Sequence, residues 1–184
     1  MASKPVVVRW FIVGVVFLSF FLLTRLYALT SLPIFTDEAI YIRWSQIGSR
    51  DAAWRFISLT DGKQPLYTWI AMVLMRYISD PLFAGRLVSV LSGLGSLFGM
   101  YFLAREMFRS NRVATIASIL YLVSPFALVY DRLAMYDSLT AMLSVWNLYV
   151  AVLLVRHIRL DIALIFGMTL GLGMLNKTSG FLSL

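Results

Sequence analysis

The 184-residue chain has no cysteine, one histidine and only 14% charged residues. Without cysteine there is no disulfide, iron–sulfur or thiolate–metal chemistry, and the lone His157 cannot anchor a multi-histidine metal site. The charged fraction is roughly half the 25% or so of soluble domains, while 60% of residues are hydrophobic. A soluble fold of this size could not cover so much apolar surface. Low-complexity tracts and internal repeats are also lacking. Long apolar runs take their place, and they define a multi-pass membrane protein.

Leu87–Ala104, Val113–Tyr130 and Ser138–Val155 are 18-residue stretches without a charge, close to the 20 or so residues that cross a bilayer core. Trp10–Thr24 is shorter, but Val6–Val8 and Leu26–Leu29 extend it, with Arg9 and Arg25 placed to snorkel. Ile162–Asn176 is a fifth candidate, ending at Lys177. The first segment reads as an uncleaved signal anchor, because its apolar region is long and further spans follow. The expected fold is therefore an all-α integral membrane protein with about five transmembrane helices, over residues 6–29, 84–104, 113–130, 138–155 and 162–176. Juxtamembrane amphipathic helices lie in a long first outer loop, 30–83.

Gln64–Met75 is too short to span: twelve residues rise about 18 Å against roughly 30 Å of hydrocarbon. Pro65 suits a helix start, and Tyr67, Trp69 and Tyr77 suit the headgroup level, so 64–78 is placed in the outer interface. With the N-terminus cytoplasmic, the basic loops at Arg105–Arg112 and Arg156–Arg159 fall inside, as the positive-inside rule asks. The excess of 16 basic over 9 acidic residues, +7, is then a topology signal and not a nucleic-acid stripe. In Asp37–Ile47, Ile40, Trp44 and Ile47 share one helical face, which predicts an amphipathic helix on the outer surface with Thr36 as N-cap. The pairs Gly95/Gly99 and Gly167/Gly171 allow close helix packing. The chain ends on apolar residues with no polar tail, and it reads as the N-terminal fragment of something longer, a fragment expected to be inactive alone.

This topology gathers Asp37, Glu38, Lys63, Arg132, Asp137 and Lys177 on the outer side. Carboxylates there could deprotonate a nucleophile or hold a metal, and lysines could hold a lipid phosphate. Each also has a plainer reading. Asp37–Glu38 and Asp137 can cap helix dipoles, Lys63 and Lys177 can be snorkelling anchors, and Asp131 and Arg132 can solvate a short loop.

The segment Phe35-Thr36-Asp37-Glu38-Ala39-Ile40-Tyr41 resembles the Asp-Glu motif in the first outer loop of GT-C glycosyltransferases. The nearest likeness is to protein O-mannosyltransferases and the bacterial aminoarabinose transferase of lipid A. Gly62-Lys63-Gln64-Pro65-Leu66-Tyr67 is similar to their Lys-Pro-Pro-Leu segment, and Arg86-Leu87-Val88-Ser89 to their Arg-Leu-Pro-Ser. Arg132–Leu139 resembles the second acidic motif, and Gly171–Lys177 the later lysine motif. Gln64 and Gly62 depart from the pattern, the latter where the aminoarabinose transferase carries an acid. The resemblance implies transfer of a hexose or pentose from a polyprenyl-phosphate donor to a lipid, glycan or protein acceptor on the outer face of a bacterial or archaeal cell membrane. Such chemistry belongs to cell-envelope glycan or lipopolysaccharide synthesis, or to protein glycosylation. It also implies a catalytic group of Asp37, Glu38 and Asp137, with Lys63, Lys177 and Arg132 on the lipid phosphate. A divalent cation is used by some GT-C enzymes and not by others; Asp37, Glu38, Asp131 and Asp137 are the oxygen ligands on offer. The competing readings are a transporter or flippase fragment, whose charges would sit mid-span, and a non-catalytic membrane subunit.

Overall fold

The computed structural model of the protein describes residues 4–178, with side chains from Ile12 onward. Among the described residues there is no strand. The chain runs through α1 (Lys4–Leu26), α2 (Thr36–Arg50), two 3-10 turns (Ala52–Trp54 and Ile57–Asp61), α3 (Leu66–Leu74), α4 (Pro81–Phe108), α5 (Asn111–Val123), α6 (Pro125–Tyr130), α7 (Tyr136–His157) and α8 (Leu160–Asn176). The side chain of Arg9, and the tail beyond Thr178, lie outside the described residues.

Among the residues whose side chains are described, two helices, α4 and α7, are long and apolar enough to cross a membrane. Their 28 and 22 residues rise about 42 and 33 Å. Asp80 starts α4 by accepting from the N–H groups of Leu82 and Phe83 (2.9 and 3.3 Å), and Pro81 fills the first helical position, where a missing N–H costs nothing. The segments Ile12–Leu26, Asn111–Val123 and Leu160–Asn176 are apolar but shorter. The expected 113–130 span is not continuous. Pro125 has no N–H and its ring would strike the preceding turn, so α5 stops at Val123 and α6 restarts at Pro125.

The α4–α7 pair is the centre of the bundle, with α5 on α4 and α8 on α7. Close approach of α4 to α7 needs glycine. A Cβ on Gly95 would collide with the Met142 side chain, and one on Gly99 would come within 2.8 Å of Val145. The other pair has no such role among the described residues: Gly167 and Gly171 face open space.

Between α1 and α4 the outer segment folds onto the bundle. The nine residues of α3 bury Tyr67, Thr68, Ala71 and Met72, and the Tyr67 hydroxyl donates to the Gly85 carbonyl of α4 (2.9 Å). Helix α2 turns Glu38, Tyr41, Ile42, Ser45 and Gly48 inward. This is not the face that apolar periodicity selects, since Ile40 is exposed and Trp44 and Ile47 only half-buried. Its N-cap is Phe35, not Thr36, because the Glu38 carboxylate reaches back to accept the Phe35 N–H (3.2 Å). Tyr41, Ile42, Tyr67, Val88, Tyr136 and Leu139 belong to one core at this end of the bundle.

Candidate active site

One polar cavity of about 280 Å³ lies where α2, the Gly62–Gln64 turn, the start of α7 and the end of α8 converge. Asp37, Tyr41, Lys63, Asp137 and Lys177 all line it. Asp37 opens α2, and Asp137 sits in the first turn of α7. Lys63 follows Gly62, whose φ of 68° reverses the chain in the left-handed region that favours glycine. Asn176 brings α8 to α7: fully buried, its amide donates to the Tyr136 carbonyl (3.1 Å) and the Thr140 hydroxyl (2.8 Å). That contact lets Lys177 Nζ reach Asp137 Oδ1 at 2.8 Å.

Tyr41 and Tyr136 form the aromatic wall, edge to face at 4.7 Å, with Tyr67 behind. Burial, then the charges of Asp37, Asp137 and Asp61, push the Tyr41 phenol up to about 12, so it stays protonated and can donate to an anion. The cavity is thus lined by two carboxylates, two ammonium groups and the hydroxyl-bearing Tyr41, Tyr136 and Thr178.

Glu38, expected beside Asp37 in the chemistry, faces the other way. It is fully buried and forms a two-pronged ion pair with Arg86: Nε to Oε1 and Nη2 to Oε2, both 2.7 Å. Oε1 also accepts the Ala134 N–H at 2.7 Å. Burial raises the Glu38 carboxyl, but the Arg86, Ala134 and Phe35 hydrogen bonds outweigh it and hold the group below the usual glutamate range. Arg86 spends its remaining donors on the carbonyls of Leu29, Leu32 and Pro33 (2.7, 3.1 and 3.3 Å). The node therefore ties α2, α4, the 29–33 turn and the chain just before Asp137 together. The Glu38 carboxylate is thus taken up by contacts within the fold, and its partner Arg86 is a structural determinant that the sequence displays only as a motif letter.

Arg132 does not line this cavity either. Its guanidinium donates to the carbonyls of Tyr27 and Ala28 (2.8 and 3.1 Å), a cation closing the C-terminal end of α1 where helix carbonyls lack partners. Asp131 is no loop-solvating residue: it is buried, 3.5 Å from Arg25 and within reach of the Tyr121 hydroxyl at 3.1 Å. Arg25 accordingly does not snorkel. It is fully buried, donates to the Leu122 carbonyl (2.9 Å), and lies 4.7 Å over the Phe21 ring. Asp37, Glu38, Asp131 and Asp137 therefore do not form one ligand set. Among the described residues no three acidic or histidine side chains gather around a point.

The described residues thus form a helical bundle with two helices of bilayer length and a charged cavity at one end of them. Residues 62–184 match the dolichyl-phosphate-mannose-protein mannosyltransferase family. The chain belongs to that family, membrane glycosyltransferases of the GT-C type that take sugar from a polyprenyl-phosphate donor. No curated protein and no solved structure matches it. The matched segment contains Lys63, Arg86, Asp137 and Lys177 but begins after Asp37 and Glu38. The shared cavity and the Glu38–Arg86 pair join those two residues to it.

Proposed function

We propose that the chain transfers a hexose or pentose from a polyprenyl-phosphate donor to a lipid, glycan or protein acceptor on the outer face of a cell membrane. The carrying observation is the convergence of Asp37, Lys63, Asp137 and Lys177 on one cavity. Asp37 accepts the proton of the acceptor hydroxyl or amine as that atom attacks the anomeric carbon. The bond from that carbon to the phosphate oxygen breaks, and its electron pair leaves with polyprenyl phosphate. Lys63 and Lys177 stabilise the anionic leaving group, where fixed cations are worth most. Asp137 holds Lys177 in place, and Glu38 with Arg86 fixes the start of α2 so that Asp37 faces the cavity.

The test is turnover of a panel of radiolabelled polyprenyl-phosphate sugars by the full-length protein, purified in lipid nanodiscs. Lys177→Ala separates the phosphate role from a structural one. The Lys177–Asp137 pair is 44% and 37% exposed, so its loss should change stability by no more than about 1 kcal/mol. Sugar transfer in Lys177→Ala and Lys63→Ala should fall on the order of 10²-fold, typical for loss of one group that stabilises developing charge. Unchanged transfer in both variants would remove the lysines from the site.

The reading requires five spans, a cytoplasmic N-terminus, and Asp37, Asp137 and Lys177 on one side. Basic ends at Arg105–Arg112 and Arg156–Arg159 support it, as does a nine-residue α3, which at about 14 Å cannot span. With no native cysteine, single cysteines report topology cleanly. Thr60→Cys and Tyr130→Cys, at exposed positions, should react with an impermeant maleimide in intact cells, while Asn111→Cys should react only after lysis. Ala134 is fully buried and unsuitable as a reporter. Labelling at 111 with protection at 130 would separate Asp137 from Asp37 and end the proposal.

A further inference from the structure

The end of the bundle away from Asp37 carries a second charged cavity. From Arg86 to Arg105, α4 advances nineteen residues, about 28 Å, so the two sites lie at opposite ends of α4 and, on the proposed topology, at opposite membrane levels. The far cavity, about 830 Å³, is lined by Arg105, Glu106 and Arg109 of the α4 end and by Tyr149, Arg156 and His157 of α7. Three arginines against one glutamate leave it at +2. Glu106 pairs with Arg156 at 2.6 Å, and among the described residues neither Arg105 nor Arg109 makes a side-chain hydrogen bond.

A separate apolar groove of about 280 Å³ runs between Val13, Gly14 and Phe17 of α1 and Phe98, Tyr101 and Phe102 of α4. Phe102 lines both spaces. The stripe Phe98–Phe102–Arg105–Arg109 follows one face of α4 at spacings of three and four, so groove and cavity succeed each other along the helix axis. A slot for hydrocarbon below a cluster of arginines at a membrane boundary has the form of an amphiphile. Basic pockets between spanning helices commonly take anionic headgroups, and arginine forks fit phosphate oxygens.

We propose that this end of the bundle binds one anionic glycerophospholipid, its phosphodiester held by Arg105, Arg109 and Arg156 and one acyl chain lying in the α1–α4 groove. A free phosphate would use the arginines and leave the groove without purpose. Phosphatidylcholine of the same chains carries the same phosphodiester, but its choline cation neutralises that charge and competes with the arginines for it, leaving the net +2 of the cavity uncompensated.

Native mass spectrometry of the whole chain, released from micelles titrated with dioleoyl-phosphatidylglycerol or dioleoyl-phosphatidylcholine, tests this. The wild type should retain the glycerol lipid at least fivefold better. Arg105→Gln with Arg109→Gln should remove that preference, both side chains being exposed, with size-exclusion profile and helix content unchanged. Gly14→Phe provides the second arm. A Cβ there meets nothing within 4 Å, so the ring enters the groove without touching the charges, and retention should again fall at least fivefold. Equal retention of the two lipids by wild type, or full retention by the double variant, overturns the proposal. Loss in the double variant with no effect of Gly14→Phe, and displacement of the lipid by 10 mM or so of inorganic phosphate, would mark a free-anion site and also overturn it.

Discussion

Asp37→Asn is expected to abolish sugar transfer while the protein accumulates in the membrane at its normal level. Asp37 is half-buried and lines the cavity. Among the described residues its carboxylate takes part in no hydrogen bond or ion pair within the chain, unlike the neighbouring Glu38. The amide has the same shape, so folding loses only a favourable charge at the start of α2, on the order of 0.3–1 kcal/mol at an exposed helix start. Chemistry loses its base. General-base catalysis contributes roughly 10²- to 10⁴-fold, and the variant should lose at least that much in kcat at saturating donor. Quantitative immunoblotting of the membrane fraction, beside a single-turnover assay, separates the two effects. Activity within about tenfold of wild type at equal abundance would leave the lysines as an anion site without a base.

Much of the fold follows from where charge is missing. The 18-residue neutral runs became α4, the α5–α6 pair and α7 because hydrocarbon excludes charge, and the break within one of them falls at its proline. Which way each residue of α2 faces was not legible. Apolar periodicity selects Ile40, Trp44 and Ile47, whereas the inward face carries Glu38 and Ser45 as well as Tyr41 and Ile42. A buried ion pair makes a polar face an inside face, and the partner that does so lies 48 residues away on α4. The same holds for Arg25: its position near a helix end suggests snorkelling, and only the fold shows Asp131 waiting for it. Asp37 and Glu38 are adjacent acids in the sequence. On a helix they point about 100° apart, which is enough to send one to the cavity and the other to the core.

That separation sets the second large effect. Arg86→Leu should destabilise the protein by about 3–5 kcal/mol, the usual cost of leaving one member of a buried pair uncompensated. The Glu38 carboxylate would keep only the N–H groups of Ala134 and Phe35, and the carbonyls of Leu29, Leu32 and Pro33 would lose their donor. Against a total stability of roughly 5–15 kcal/mol, the variant should show a sharply lower melting temperature in detergent and reduced membrane abundance. Glu38→Gln should lose stability too, because it strands the guanidinium. The double variant Glu38→Gln with Arg86→Leu should be less destabilised than the sum of the singles by about 0.5–3 kcal/mol, the range seen for residues in direct contact. The decisive comparison is with Asp37→Asn: that variant should melt like wild type and turn over nothing. Glu38→Gln should melt early, and whatever fraction remains folded at low temperature should still transfer sugar. If Glu38→Gln instead melts like wild type and is inactive, Glu38 belongs with the chemistry, as a third carboxylate beside Asp37 and Asp137.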